Sequence, residues 1–297
     1  MIIPEKIDIE IVRGICTANC PMCSINETRY NKGVMSTEIF KKIVDSFKSH
    51  IENITVNLVG IGEMLVDVKL HEKIKYLKKK KVKKIILPTN ASLLTEKRAI
   101  EVLDAGLDEI IFGVDSLKKE VYEKIRQDLI FEEVYENVKR FIKLRDEHNY
   151  KTRICVRMIV SKLNNEELDN YLEYWKKYLD KNKGDLILYF PEHNWAENDY
   201  PNKDAAPPVV EKDCKCVYVY DRMNIDTYGN VKFCCIDING TFFNLGNVLN
   251  RDPIEIFNNE VFSKSRNLMD NGKINEIKPC ASCNVPLQRS ERNLLNF

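Results

Sequence analysis

The sequence predicts an α/β protein: an incomplete barrel of six βα units over residues 1–195, followed by a smaller region over 196–297. Two observations carry this. Short Ile- and Val-rich runs alternate with amphipathic helical segments for about 140 residues, the pattern of a parallel sheet curled by right-handed crossovers. After Phe190 the alternation stops, Pro191, Pro201, Pro207 and Pro208 fall in a polar stretch, and cysteines return without regular helices.

The elements follow in order. Ile7, Ile9 and Ile11 alternate with Asp8, Glu10 and Val12, which predicts a first strand over 7–13. A cysteine loop follows. Ser36 and Glu38 then open a helix to about 49, with Phe40, Ile43, Val44 and Phe47 on one face. A strand over 54–59 leads to a helix over 68–80. The next strand, from Lys84, closes at Pro88-Thr89-Asn90 and is followed by a helix over 95–105 ended by Gly106. A fourth strand covers 109–114, with helical periodicity over 117–126 and 131–145. Strands over 153–160 and 185–190, separated by a helix over 165–179, complete six units of a TIM-type barrel, a partial (β/α)6. In such barrels functional residues sit at the carboxyl ends of the strands. Beyond the break, 216–226 and 231–235 predict a hairpin turned at Thr227-Tyr228-Gly229-Asn230, and short helices are expected near 253–257 and 261–269.

Composition narrows the class of function. The chain has 297 residues, 44% apolar and 31% charged, with a net charge of +1. Nothing in that balance calls for nucleic acid or a membrane surface as partner. The lysines from Lys78 to Lys84 mark a solvated helix end. No apolar stretch is long enough to span a bilayer, and residues 1–6 lack the sections of a signal peptide, so the expected location is the cytoplasm. There the ten cysteines are poor candidates for disulfides, and metal or redox chemistry is the better expectation.

Spacing separates the cysteines into two sets. Cys16, Cys20 and Cys23 form a C-x3-C-x2-C run on the loop after the first strand. Three thiolates suit three irons of a cubane cluster and leave the fourth iron open. A structural zinc site wants four ligands, and the nearest histidine is His50. The second set is Cys216, Cys234, Cys280 and Cys283, separated by 18, 46 and 3 positions. Four thiolates brought together there suit either a fully ligated 4Fe-4S cluster or a zinc ribbon. Cys214 and Cys235 are possible substitutes for their neighbours. Adjacent cysteines on a strand face opposite sides, so one of Cys234 and Cys235 is expected to reach the group. Cys155, inside the fifth strand, reads as a small buried hydrophobe.

Cys16, Cys20 and Cys23, in that spacing at that strand end, resemble the signature of the radical S-adenosylmethionine (radical SAM) enzymes. The resemblance implies that SAM binds the open iron through its amino and carboxylate groups and is split to a 5′-deoxyadenosyl radical. It extends to Gly60-Ile61-Gly62-Glu63, where Gly62 and Glu63 would hold the SAM ammonium, and to Asn90 after the third strand. In Gly113-Val114-Asp115-Ser116, relatives often carry serine where Gly113 stands. Asp115, Ser116 and Arg126 are therefore further SAM-binding candidates, and Met22 matches the position lying along the adenine. The second set, with Asp226, Gly229, the 234–237 run, the 245–248 segment and Cys280-Ala281-Ser282-Cys283, resembles the twitch or shortened SPASM domain that holds one auxiliary 4Fe-4S cluster.

The implied activity is that of a radical SAM oxidoreductase, similar in cysteine spacing and size to the alcohol dehydrogenase subgroup of aminocyclitol biosynthesis. Such an enzyme takes a hydrogen atom from a hydroxylated small molecule, a sugar or cyclitol, and oxidises the alcohol to a ketone. The auxiliary cluster accepts the electron, and a reductant such as flavodoxin or ferredoxin is implied as partner. Alternatives are an epimerase with a cysteine hydrogen donor, a peptide-modifying enzyme, and a non-catalytic zinc-binding scaffold. Peptide-modifying relatives carry a leader-recognition domain, and a first strand near residue 7 favours a small molecule. Candidate catalytic residues are Cys235, Glu192 and His193, with Trp195 placed to stack on a ring.

Overall fold

The computed structural model describes residues 1–28, 32–192, 195, 215–285 and 293–295. Strand β1 (Lys6–Glu10) buries Ile7 and Ile9 on one face and Asp8 and Glu10 on the other. The chain then turns, and β2 (Val12–Arg13) pairs antiparallel with β3 (Gly33–Val34), so the run expected as one strand over 7–13 is two. The break follows from a competing partner: Ile11 N–H donates to Val59 O (2.9 Å) and Gly14 N–H to Ile61 O (2.7 Å).

Helix α1 (Thr37–Ser46) starts where Ser36 accepts a hydrogen bond from Ile39 N–H, and it buries Phe40, Ile43 and Val44. The units then repeat. They run β4 (Thr55–Val59), α2 (Leu70–Lys79), β5 (Lys84–Thr89), α3 (Glu96–Asp104), β6 (Glu109–Gly113), α4 (Lys119–Ile125), α5 (Phe131–Glu147), β7 (Arg153–Val160), α6 (Leu168–Lys176) and β8 (Leu186–Pro191). Strands β1, β4, β5, β6, β7 and β8 pair in that order, all parallel. The expected partial barrel is therefore present.

The second region departs from expectation in a way that shapes the site. Residues expected as the first half of a hairpin begin as a helical turn, α7 (Tyr218–Asp221), before β9 (Arg222–Ile225). After β10 (Val231–Lys232) come α8 (Pro253–Phe257) and α9 (Glu260–Asp270). Packing accounts for the turn at α7: Arg266 Nε donates to Val219 O (2.8 Å), and Tyr220 Oη donates to Asp270 Oδ1 (2.9 Å), with Arg266 O (3.1 Å) its alternative acceptor. Tertiary bonds to α9 outweigh the strand preference of the local sequence. Strand β9 pairs in parallel with β1, Lys6 opposite Arg222, and β10 pairs antiparallel with β9. Strand β11 (Asn293–Leu295) closes the other edge against β8. One nine-stranded sheet thus runs through both parts, and it places the second region beside the first strand of the barrel. No helix among the described residues is long and apolar enough to cross a membrane.

Candidate active site

The cysteine loop is laid along the segment that leaves β4. Besides the Gly14 bond, Glu63 N–H donates to Ile15 O at 2.9 Å. Only glycine fits the approach: a Cβ on Gly60 would lie 2.1 Å from Val12 O, and one on Gly62 2.6 Å from Ile15 O. The loop presents Cys16, Cys20 and Cys23 to one cavity. Their sulfurs already have donors: Ala18 N–H (3.4 Å) and Asn90 Nδ2 (3.6 Å) reach Cys16 Sγ, and Arg126 Nη1 lies 3.5 Å from Cys20 Sγ. Burial pushes the Cys23 thiol up to about 11. A free thiol is inert there, whereas metal coordination deprotonates it outright. Three sulfurs with cationic and amide donors behind them fit thiolate ligands of an iron–sulfur cluster.

The cavity measures about 320 Å³ and opens at the carboxyl ends of the strands. Gly62, Glu63, Thr89 and Asn90 form one wall, Met22 a second, and Phe190, Glu192 and Trp195 a third. Glu63 is 2% exposed, and burial raises its pKa. Its Oε1 accepts from Leu65 N–H (2.9 Å) and Thr89 Oγ1 (2.6 Å), and its Oε2 from Asn90 N–H (2.8 Å). One lone pair on Oε2 remains for a cationic group in the cavity.

Opposite stand two arginines. Where Gly113 lacks a side chain, Arg126 Nη2 and Arg157 Nη2 each come to 3.1 Å of the position a Cβ would take. Among the described residues, Arg126 Nη2 and Arg157 Nε are buried without a hydrogen-bond partner. Two guanidinium groups with open donors suit a carboxylate. Asp115 and Ser116 lie behind this wall rather than on it. Asp115 accepts from Arg126 Nε (2.5 Å) and Ile159 N–H (2.7 Å), so it orients the arginine. Ser116 Oγ donates to Glu167 and accepts from Lys118 N–H (3.0 Å), which ties down the turn before α4. Trp195 Nε1 donates to Met22 O at 2.9 Å, pinning the loop after β8 to the cysteine loop. His193 and Cys214 lie outside the described residues.

Cys216, Cys234, Cys280 and Cys283 line a separate small, apolar cavity with Tyr218, Phe233, Ile236 and Val285. The residues flagged by the sequence build its frame. Asp226 Oδ1 accepts from Tyr228 N–H (2.8 Å) and Asn230 N–H (2.9 Å), Gly229 adopts a φ of +87°, and Val231 N–H donates to Gly246 O (2.9 Å). Cys235 does not line this cavity. It faces a third space with Asp8, Glu10, Arg222 and Lys232. The neighbouring thiols thus face different cavities, but not by strand alternation: the strand expected over 231–235 ends at Lys232, and both cysteines lie in the turn beyond it. Cys155 is buried inside β7, away from all three cavities.

Alternation along the fifth strand leaves open whether Arg157 faces the barrel, and no local pattern singles out Arg222, Asn224 or Lys232. A signal existed for Arg157: it is a lone cation in the run Cys155-Val156-Arg157-Met158-Ile159. The other three became meaningful only once β9 was seen beside β1.

Comparison with known proteins agrees with this geometry. The family described as Radical SAM superfamily matches residues 11–175, and SPASM, an iron-sulfur cluster-binding domain, matches residues 214–284. The chain is 26% identical over 160 residues to the tungsten-containing aldehyde ferredoxin oxidoreductase cofactor-modifying protein of Pyrococcus furiosus, covering 54% of this chain and 45% of that protein. It is 38% identical over 115 residues to a probable GTP 3',8-cyclase of Methanococcus aeolicus, covering 37% of each. The matched region therefore spans less than half the length of these curated relatives. Among solved structures, BtrN in complex with AdoMet and 2-DOIA aligns with a TM-score of 0.63 at 15% identity, covering 95% of this chain and 93% of that one. Native anSMEcpe with bound AdoMet aligns at 0.64 and 15%, covering 87% and 82%. SuiB of Streptococcus suis bound to precursor peptide SuiA aligns at 0.65 and 12%, covering 97% and 71%. These likenesses show a shared fold. With the family matching more than half of the chain, and with a SPASM domain beyond it, this protein belongs to the radical SAM superfamily, and its cofactors are S-adenosylmethionine and iron–sulfur clusters.

Proposed function

We propose that the chain is a radical SAM oxidoreductase that converts a secondary alcohol of a hydroxylated small molecule, a sugar or cyclitol, to a ketone. The observation carrying this reading is the separation of the two cysteine sets. Three thiols face the cavity at the strand ends, and four others line a separate small, apolar one, a number that suits full ligation of a second cluster. In this reading Cys16, Cys20 and Cys23 hold the SAM-binding cluster, and Cys216, Cys234, Cys280 and Cys283 hold the auxiliary one. The division falls between residues 1–195 and 196–297. When bound, the first cluster with SAM supplies a hydrogen-atom acceptor at carbon, and the second supplies an electron acceptor.

The chain's own residues do the rest. Gly62 and Glu63 hold the SAM ammonium, with Asn90 fixing the carboxylate of Glu63 through its N–H. Arg126 and Arg157 take the SAM carboxylate in the space above Gly113, and Met22 lies along the adenine. Glu192, on the cavity wall, is the proposed acceptor of the hydroxyl proton, with His193 beside it in sequence; Trp195 stacks on the ring. BtrN, solved in complex with AdoMet and 2-DOIA, supports this substrate class through shared fold and similar size. SuiB, bound to a precursor peptide, supports the alternative of a peptide substrate.

A second reading, epimerisation with Cys235 as hydrogen donor, rests on the outward turn of that thiol. Burial holds it near 11, so it stays a protonated thiol at neutral pH. Two measurements test the pair. Anaerobically reconstituted protein should carry about eight iron and eight sulfide per chain; zinc without sulfide refutes both readings. Under dehydrogenase chemistry Cys280→Ala abolishes ketone formation and Cys235→Ala leaves it. The reverse pattern, with inverted product lost in Cys235→Ala, selects the epimerase.

A further inference from the structure

The third space, about 250 Å³, adjoins the SAM cavity: Val59, Gly60, Ile61 and Trp195 line both. Its floor is the polar face of β1 and β9, an unusual lining for the inside of a sheet. Both carboxylates there are already engaged by cationic or amide donors. Asp8 accepts from Asn57 Nδ2 (2.5 Å) and Arg222 Nη1 (3.1 Å). Glu10 accepts from Ile61 N–H (3.1 Å), Arg13 Nη1 (3.0 Å) and Lys232 Nζ (3.3 Å). Asp237, the next acid along the chain, is turned to the backbone N–H groups of Phe233, Thr241 and Phe242.

The donors are not saturated. Asn224 is 2% exposed, and its Nδ2 has no partner among the described residues; the same holds for Arg222 Nε. Lys232, 7% exposed, donates to Glu10 Oε2 and has two further N–H donors on its ammonium. Burying unpaired donors costs free energy unless a ligand or water satisfies them. Acceptors committed and donors left open describe a site for an oxygen-rich anionic group.

We propose that this space is a substrate subsite for a carboxylate, so that the substrate is a hydroxylated acid with its carboxylate on Arg222, Asn224 and Lys232 and its reacting carbon beyond Gly60 in the SAM cavity. This deepens the reading above and rests on it for the placement of the reacting carbon. The anion itself is recognised by charge-assisted hydrogen bonds, which carry about twice the strength of neutral ones.

The test uses reconstituted protein with SAM and two probes that differ by one carboxylate, glucuronate and glucose, titrated calorimetrically. Glucuronate should bind about tenfold more tightly, the factor that one net charge-assisted bond provides. Asn224→Leu and Lys232→Gln, made separately, should each bring the preference to about twofold or less, with iron content and circular dichroism unchanged. Equal affinity for the two probes, no binding of glucuronate, or an undiminished preference in both variants overturns the proposal. Should both variants misfold, selenate soaked into wild-type crystals decides: an anomalous peak between Arg222 and Asn224 supports the subsite, and its absence overturns it. 5′-Deoxyadenosine release, followed in parallel, keeps the two ideas apart. An absent preference with SAM cleavage intact refutes only the subsite, and a preference without SAM cleavage refutes only the catalytic reading.

Discussion

Replacing Gly60 by alanine tests how the SAM cavity is built. The new Cβ would stand 2.1 Å from Val12 O and 3.2 Å from Val12 C, with Glu10 Cγ at 3.1 Å. The obstacle is backbone, so no rotamer relieves it. Reaching an ordinary contact requires the cysteine loop and the β4 exit to separate by about 1 Å. That shift stretches three hydrogen bonds, from Ile11 N–H to Val59 O, Gly14 N–H to Ile61 O and Glu63 N–H to Ile15 O. Overpacking costs about 1–3 kcal/mol, and each weakened bond adds up to about 1 kcal/mol, so a loss of roughly 2–4 kcal/mol is expected. Thermal unfolding should fall by on the order of 10 °C. The consequence for activity is larger, because a 1 Å misplacement of reacting groups costs about 10²-fold. Gly33→Ala is the control, since nothing lies within 4 Å of its added Cβ; it should change stability by less than about 0.5 kcal/mol. Melting curves and 5′-deoxyadenosine release on the two variants are the assays. A Gly60→Ala protein that melts and cleaves SAM like the Gly33→Ala control refutes the reasoning.

Three further outcomes follow from the same structure. Asp185→Ala removes the two bonds, of 2.8 and 2.7 Å, that hold the fully buried Arg145, leaving it the ion pair with Asp146, and should destabilise by about 3–5 kcal/mol in denaturant titration; the paired change Arg145→Met with Asp185→Leu should recover only the arginine's share of that loss, because the N–H groups of Ile154 and Asp180 still lose their acceptor. Glu63→Gln places an amide donor against the N–H of Asn90 or Leu65 and should cost about 1–3 kcal/mol, with SAM affinity falling in equilibrium dialysis. Cys20→Ser should lower iron to about four per chain and abolish SAM cleavage, leaving the spectrum of the auxiliary cluster; retention of all the iron would refute its assignment as a ligand.

Much of the site was legible because its signals are local. Gly60, Gly62 and Glu63 follow a strand that periodicity identifies, and the cysteine loop follows another. Arg126 was visible as a cation at the end of α4, but its bond to Asp115 and its convergence with Arg157 above Gly113 were not. Asp115 and Ser116 are SAM-binding candidates by resemblance, for the serine that relatives carry at the position of Gly113, but neither lines the cavity. The competing demands of Arg126 and Glu167 turn both inward.

The sequence by itself determined the sheet class, the order of the six βα units, and the two cysteine sets with the chemistry their spacing allows. Each of those is a matter of period or spacing within a few dozen residues. Only the tertiary structure decided that β9 lies parallel to β1, that α7 interrupts an expected strand, and that Cys234 and Cys235 serve different cavities. The physical reason is distance along the chain. Pairing Lys6 with Arg222 joins residues more than two hundred positions apart, and no local pattern records which edge of a sheet a returning strand will take. That choice put the open donors of Arg222 and Asn224 beside the already engaged carboxylates of Asp8 and Glu10, and so made the space beside the SAM cavity.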